Sequence, residues 1–409
     1  MIVVVVAMGL IQSSWAADFP YKIGRGSADI TGPALGLAMW GFVREGQNTE
    51  GIHTRLRARA FVIVDAKTDK RLAFISADVG SITHAMHLEV LEQLATRFPG
   101  VYTVENLILS ATHTHSGPAG YWHYGVGTPL GGAFYEAHYN VIVGGIVEAV
   151  VAADESAAPG RILVNTGVVE GGGANRSVTA YDNNPESERA RYSSNVDKEM
   201  TLLRFEGADG AIGMVNWFAV HPTAMTFDNK LISGDHKGYA AQQFEQIMGA
   251  STLGAGDFVA AFAQTNCGDV TPNLNLDNTG PGENEFETTR IIGDRQLEIA
   301  LELFKNASEE LQGGLDYRQT YIDLSNTTVD GKYTGSGTQS TCASAYGYSF
   351  AAGSTEDGGG HPLFKEGMTK QNPMVDGLIA EQFKIPPPSD KLRECHLPKA
   401  ILLAPGATE

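Results

Sequence analysis

Asn106-Leu107-Ile108-Leu109-Ser110-Ala111-Thr112-His113-Thr114-His115-Ser116-Gly117-Pro118 is the stretch on which the reading of this chain turns. Its apolar start predicts a buried strand that runs from Asn106 to His115. Two histidines at i and i+2 on an extended backbone point to one side. Ser116-Gly117-Pro118 then breaks the strand and turns the chain. This places two imidazoles side by side at a strand end, where α/β proteins put their chemistry. Histidine titrates near neutral pH and is the commonest metal ligand, so one ring can bind a metal while the other moves a proton. A pair of hydrogen-bonded structural histidines would fit the same pattern.

Outward from this stretch, strand and helix signals alternate. Strands are predicted at Ala58–Val64, Leu72–Val79, Arg161–Val169, Glu199–Glu206, Ala211–Val220 and Asp257–Gln264. Helices are predicted at Thr83–Phe98, Phe134–Ala153, Lys237–Met248 and Glu287–Lys305. The alternation predicts an α/β fold of mixed sheet layers flanked by helices, in one large catalytic domain. The 409 residues suffice for such a domain with insertions. From Asp330 onward the chain is rich in Gly, Ser and Pro and reads mostly as loop. It stops soon after a last strand signal at Ala400–Leu403, which gives the expectation of a catalytic domain truncated at its C-terminal end.

Composition excludes several classes of function. Hydrophobic residues make up 43% and charged residues 19%, as in ordinary soluble globular proteins. A formal net charge of −18 argues against nucleic acid as a partner, which needs clustered Lys and Arg. The same charge argues against electrostatic docking on anionic lipid, but leaves contact with neutral lipid through an apolar groove. Residues 1–17 read as a signal peptide, with an apolar region at Ile2–Leu10 and small residues around Ser14 to Ala17. Its start lacks Lys or Arg, and a plain buried strand is the competing reading. The expectation is export to a periplasmic or extracellular space, with residues 18–409 as the mature protein. Three cysteines in an exported chain imply one pair and one free thiol. Cys342 and Cys395 flank a loop-rich segment and are the expected pair, while Cys267 sits in a tight turn. Glycosylation sequons begin at Asn175, Asn306 and Asn326, the last two in segments expected to be exposed.

Four other segments place reactive residues at strand ends. Gly172-Gly173-Ala174-Asn175-Arg176-Ser177 presents one fixed cation, suited to an oxyanion or a carboxylate, or simply a surface arginine. Asn216 to Thr223 ends an apolar strand at His221, which the following proline restrains. In Ser233-Gly234-Asp235-His236-Lys237-Gly238, Asp235 reads as a helix cap. Gln264 to Asn273 contains a Gly268-Asp269 turn leading to Thr271, held by Pro272. That geometry suits an exposed nucleophile or a group that binds a substrate hydroxyl, although an Asx turn centred on Asp269 explains it equally.

Taken together, these segments resemble the neutral ceramidase family, secreted zinc amidases that cleave ceramide. The resemblance rests on Tyr21-Lys-Ile-Gly-Arg-Gly-Ser-Ala-Asp-Ile-Thr-Gly-Pro33, Gly51-Ile-His-Thr-Arg55 and Thr112-His-Thr-His-Ser-Gly-Pro118. It continues through Asn175-Arg-Ser177, Asn195-Val-Asp-Lys-Glu-Met200, Ser233-Gly-Asp235, Asn266-Cys-Gly-Asp-Val-Thr-Pro-Asn273 and Gly347-Tyr-Ser-Phe-Ala-Ala-Gly353. It implies His113 and His221 as ligands of Zn2+, with His115 and Arg176 assisting the attacking water and the tetrahedral intermediate. Thr271 stands where the family usually has serine, viewed either as a nucleophile or as a binder of the substrate hydroxyl. Asp269 and Asn273 flank it as candidate substrate-binding residues. No strong base adjoins Thr271 in sequence, which favours the binding role.

The resemblance also implies two further zinc ligands, a glutamate and a tyrosine, and a C-terminal immunoglobulin-like domain, all beyond Glu409. The expected partner is ceramide or a similar N-acyl sphingolipid, with contact to a membrane surface. Ala38-Met39-Trp40-Gly41-Phe42 and Gly120-Tyr121-Trp122-His123-Tyr124-Gly125 are candidates for an apolar approach to the site, with core packing as the alternative. Two rival classes remain: an amidase or esterase acting on another N-acyl lipid, and a non-catalytic lipid-binding fragment.

Overall fold

A computed structural model describes residues 19–123, 133–251, 257–360, 362–383 and 386–404. The expected leader at 1–17 lies outside these residues, as do Tyr124 and Gly125. In chain order the strands that build the fold are β1 (Tyr21–Asp29), β2 (Leu35–Ala38), β3 (Asn48–Ile52), β4 (Arg57–Asp65), β5 (Arg71–Ala77), β6 (Leu107–Ala111) and β7 (Ala158–Val168). They continue as β8 (Ala174–Asn175), β9 (Glu199–Gly207), β10 (Gly210–Phe218), β11 (Leu231–Ile232), β12 (Val259–Gln264) and β13 (Val270–Thr271). The long helices are α1 (His84–Arg97), α2 (Glu136–Glu155), α3 (Asp235–Ile247) and α4 (Glu285–Asn306).

β4 shows why the layers form. It is buried on both faces, with the one charge in its middle, Arg59, ion-paired to Asp78 and Glu245. Ala58, Ala60, Val62 and Val64 face a core shared with α1 and α2. Phe61 and Ile63 face a second core shared with Phe205, Val215 and Ala261 from β9, β10 and β12. The main sheet runs β12-β10-β9-β7-β1-β4-β5-β6, and it doubles back so that its two halves pack face to face. Phe61 meets Phe205 with ring centroids 4.6 Å apart, and Phe74 meets Trp217 at 5.4 Å. Gly213 is required in this seam, because a Cβ there would lie 2.7 Å from Phe61 Cε1. α1 and α2 cover the outside of one half and α3 and α4 the outside of the other, giving four layers. The mixed α/β expectation therefore holds.

Two parallel strand pairs matter most for function. β5 pairs with β6 across α1, and β10 pairs with β12 across α3. Each is a βαβ unit, and the C-terminal ends of β6, β10 and β12 reach one rim. The Gln264 side-chain amide records this meeting. Its Nε2 donates to Thr112 O at 3.1 Å and to Val220 O at 2.8 Å.

The reading of the C-terminal segment as mostly loop is incomplete. It contains helices at Pro373–Phe383 and Asp390–His396, and Ile401–Leu403 pairs with Tyr346–Gly347. Tyr348, Ala352, Phe364, Val375, Ala400 and Leu402 give it a small core of its own. Cys342 and Cys395 form the expected disulfide, and Cys267 is free and buried. Asn306 and Asn326 are exposed, whereas Asn175 is buried. Thiol titration of denatured, unreduced protein should count one reactive cysteine; a count of three would contradict the bridge.

Candidate metal centre

The two histidines of the opening stretch do not project from strand alternation. β6 ends at Ala111, and His113 adopts a left-handed backbone with φ of 71°. The chain turns there because Thr112 N and His113 N still bond back to Ala77 O and Val79 O, at 2.9 and 3.0 Å. Thr114, between the two, is fully buried and donates its hydroxyl to Ser233 O at 2.7 Å. The turn carries the His113 ring toward His221, which follows β10 and is held by a His221 N to Val270 O bond of 2.9 Å. His113 Nε2 lies 3.0 Å from His221 Nε2 and 3.4 Å from His115 Nε2. Ligand atoms of all three histidines lie within 4.8 Å of one another.

The outer ring nitrogens show what this cluster suits. His113 Nδ1 donates to Gly80 O at 2.7 Å, and His221 Nδ1 donates to Cys267 O at 2.9 Å. A ring whose Nδ1–H is committed to a carbonyl presents an Nε2 lone pair inward. Two such lone pairs 3.0 Å apart cannot bond each other, and a shared cation relieves their repulsion. Burial is the main cause that pushes all three pKa values down, furthest for His115 and His221, and the Arg176 charge adds to it. Neutral imidazoles are the form that ligates. The residues thus fit a divalent cation of the kind that prefers nitrogen donors. His115 Nδ1 is buried without a hydrogen-bond partner, so that ring is not locked into one tautomer.

Aromatic side chains wall the cluster. The Trp40 ring meets His113 and His115 edge-on at 5.1 and 5.3 Å, and Phe42 meets His115 at 4.9 Å. Phe227 extends the wall from Phe42 at 6.2 Å, and Trp122 lies 6.2 Å from Trp40. Trp40 is placed by backbone pairing, since its N–H donates to Gly117 O at 3.0 Å. Trp40 and Phe42 of the stretch from Ala38 to Phe42 therefore touch the histidines, while Met39 and Trp40 are themselves buried, as core packing requires.

Thr271 sits on the short β8–β13 pair beside His221, and Arg176 directly follows β8, its N–H donating to Asp269 O at 2.8 Å. Arg176 is half-buried, and its Nε donates to Gly268 O at 3.0 Å. Asp269 Oδ2 accepts from Asn175 Nδ2 at 3.2 Å, which ties the two turns together. Thr271 is fully buried, and its hydroxyl donates to Asp357. Asn273 N donates back to Thr271 Oγ1 at 3.1 Å. Sequence reasoning missed Asp357, because it lies 86 residues away in a Gly-rich stretch that carries no motif. It also left Gln264 without a role. One expectation needs correction: Asp235 is not the cap of α3. Gly234 occupies the cap, and Asp235 starts the helix, fully buried, with its carboxylate accepting from Met225 N at 3.0 Å and from His236 N at 2.6 Å. Burial pushes its pKa up to about 7.

A mixed α/β protein with three histidines at joined strand ends is the class that fold and site define. Residues 21–409 match the family described as neutral/alkaline non-lysosomal ceramidase, N-terminal, and the chain belongs to this family. It is 40% identical over 403 residues to the neutral ceramidase of Pseudomonas aeruginosa, covering 98% of this chain and 58% of that protein. It is 41% identical over 424 residues to neutral ceramidase B of Dictyostelium discoideum, covering 96% of this chain and 58% of that protein. A solved structure described as a ceramidase complexed with C2 superposes with a TM-score of 0.83 at 41% identity, over 95% of this chain and 59% of the other. The chain thus spans under two thirds of the length of these relatives.

The wall gives a test of metal binding that is independent of activity. Co2+ added to metal-free protein should quench tryptophan fluorescence, and Trp40→Phe should remove most of that quench. An unchanged quench in the variant would contradict a metal site at these histidines.

Proposed function

We propose that this chain carries the catalytic machinery for zinc-dependent hydrolysis of the ceramide amide bond, yielding sphingosine and a fatty acid, with residues 18–409 as a ceramidase-type catalytic domain. The observation that carries the reading is the convergence of His113, His221 and His115 through Nε2, with two rings anchored at Nδ1, in a chain of the ceramidase family. The names of its relatives support the substrate class.

His113 and His221 would hold Zn2+, as their carbonyl-anchored rings suit fixed ligands. Bound zinc lowers the pKa of water to roughly 7 and polarises a carbonyl oxygen. His115 accepts the proton of the attacking water and returns it to the leaving amine nitrogen. Burial keeps its ring neutral, the form that can accept that proton. Arg176 offers its guanidinium to the oxyanion that forms as the carbonyl is attacked. Thr271, Asn273 and the Asp269 turn hold the hydroxyl-bearing end of the lipid. Trp40, Phe42 and Phe227 exclude water from the centre and receive apolar chain. Contact with a membrane surface would rest on apolar side chains, since the chain carries a net charge of −18. The Cys342–Cys395 disulfide supports export to an oxidising compartment.

Two sets of variants test this in the native full-length protein. His113→Ala and His221→Ala should each lose bound zinc and activity while staying folded; wild-type zinc content in both would sink the ligand assignment. Thr271→Ser should keep or raise turnover, and Thr271→Val should lose most of it while retaining zinc. A fatty-acyl ester trapped on Thr271, seen by mass spectrometry, would instead make that residue the nucleophile.

A further inference from the structure

Asp357 lies in a tight loop, 353–360, that reaches under the β8–β13 pair. The loop gets this close because Gly358 has φ of 71°, and a Cβ there would sit 1.7 Å from Asn278 Nδ2. Asp357 is 8% exposed, and its carboxylate takes three donors. Its Oδ2 accepts the Thr271 hydroxyl and, at 3.4 Å, Asn273 Nδ2. Its Oδ1 accepts Asn278 N at 3.1 Å. The same loop touches Arg176, whose carbonyl accepts Glu356 N at 3.3 Å. Burial weakens the hold of Arg176 on its proton, and Asp357 leads the charges that oppose this.

The arrangement sets the polarity of Thr271. Its hydroxyl proton is committed to Asp357, and one lone pair accepts Asn273 N. One lone pair remains. Beside it, Asn273 Oδ1 and Thr223 Oγ1 are buried without hydrogen-bond partners, and Asn273 Nδ2 bridges to Thr223 O at 3.4 Å. Buried polar atoms left without partners are uncommon and point to a missing ligand group or water.

We infer that Asp357 is a positioning residue that holds the Thr271 hydroxyl as a hydrogen-bond acceptor, and that Thr271, Asn273 and Thr223 together receive a hydroxyl-bearing lipid head group. The inference rests on the amidase reading above and adds the polarity of its head-group site. An asparagine at 357 cannot reproduce this. It has one acceptor and one NH2 group, so whichever way it turns, a donor faces a donor.

The test compares kcat/KM for ceramide with that for an N-acyl alkylamine of equal chain lengths lacking hydroxyls, using the native full-length protein. The wild type should prefer ceramide. Asp357→Asn and Thr271→Val should each reduce that preference, by about 10- to 100-fold if a hydrogen bond to a charged group fixes the polarity. The double variant should lose little more than the worse single one, because both break one interaction. Zinc content should not change. Equal loss on both substrates, additive losses in the double variant, or loss of zinc would overturn the inference and leave the amidase reading standing. If Asp357→Asn does not fold, an unaltered preference in Thr271→Val overturns it. A wild-type protein that cleaves neither substrate overturns both.

Discussion

One side-chain amide ties the candidate centre to the fold. Gln264 ends β12, donates to the loops after β6 and β10, and accepts Val220 N at 3.2 Å through Oε1. These loops carry His113, His115 and His221, so their spacing depends on how three strand ends meet. Lys237 reinforces the meeting from behind. Fully buried, it donates to Phe218 O and Ala263 O, at 2.9 Å each, near the ends of β10 and β12. No carboxylate neutralises it in these bonds, and burial pushes its pKa down to about 7. Burying such a group is costly unless its donors are used, and here they cross-link the rim.

His221 shows how far this support extends. Its backbone carbonyl accepts His236 Nε2 at 3.0 Å, and Gln296 Nε2 donates to His236 Nδ1 at 3.0 Å. The Gln296 contact leaves the proton of neutral His236 on Nε2, facing the His221 carbonyl. The chain Gln296–His236–His221 runs from α4 through α3 to the cluster. Each half of the doubled sheet thus supplies histidines, and the helices outside one half hold the backbone of His221. Packing between the halves, through Phe61, Phe205, Phe74 and Trp217, sets the distance over which the rings can meet.

Much of this was legible in the chain. Runs such as Ala60–Val64 and Leu107–Leu109 are apolar at successive positions, which marks buried strands in a layered fold. The long helices were legible from their spacing, and Thr83 and Asn284 cap α1 and α4 through bonds to Met86 N and Glu287 N. β1 is not legible in the sequence, because Gly24 and Gly26 interrupt its apolar pattern. Those glycines let α2 close on the sheet, where a Cβ at Gly24 would lie 1.7 Å from Ala153 O. The histidines are legible by type and position, but their convergence enters only through the family resemblance and not through periodicity or spacing. It depends on a left-handed residue at His113 and on His221, 108 residues later. Asp357 was invisible for a related reason: its partner is set by a loop path through Gly358, which periodicity does not encode.

The central claim is that His113 and His221 ligate one zinc ion through Nε2. X-ray absorption at the zinc edge of the native, zinc-loaded protein tests it most directly. The account predicts the multiple-scattering signature of at least two imidazoles, with Zn–N distances of about 2.0–2.1 Å. A zinc shell made only of oxygen, or no stoichiometric zinc in folded protein, would contradict it.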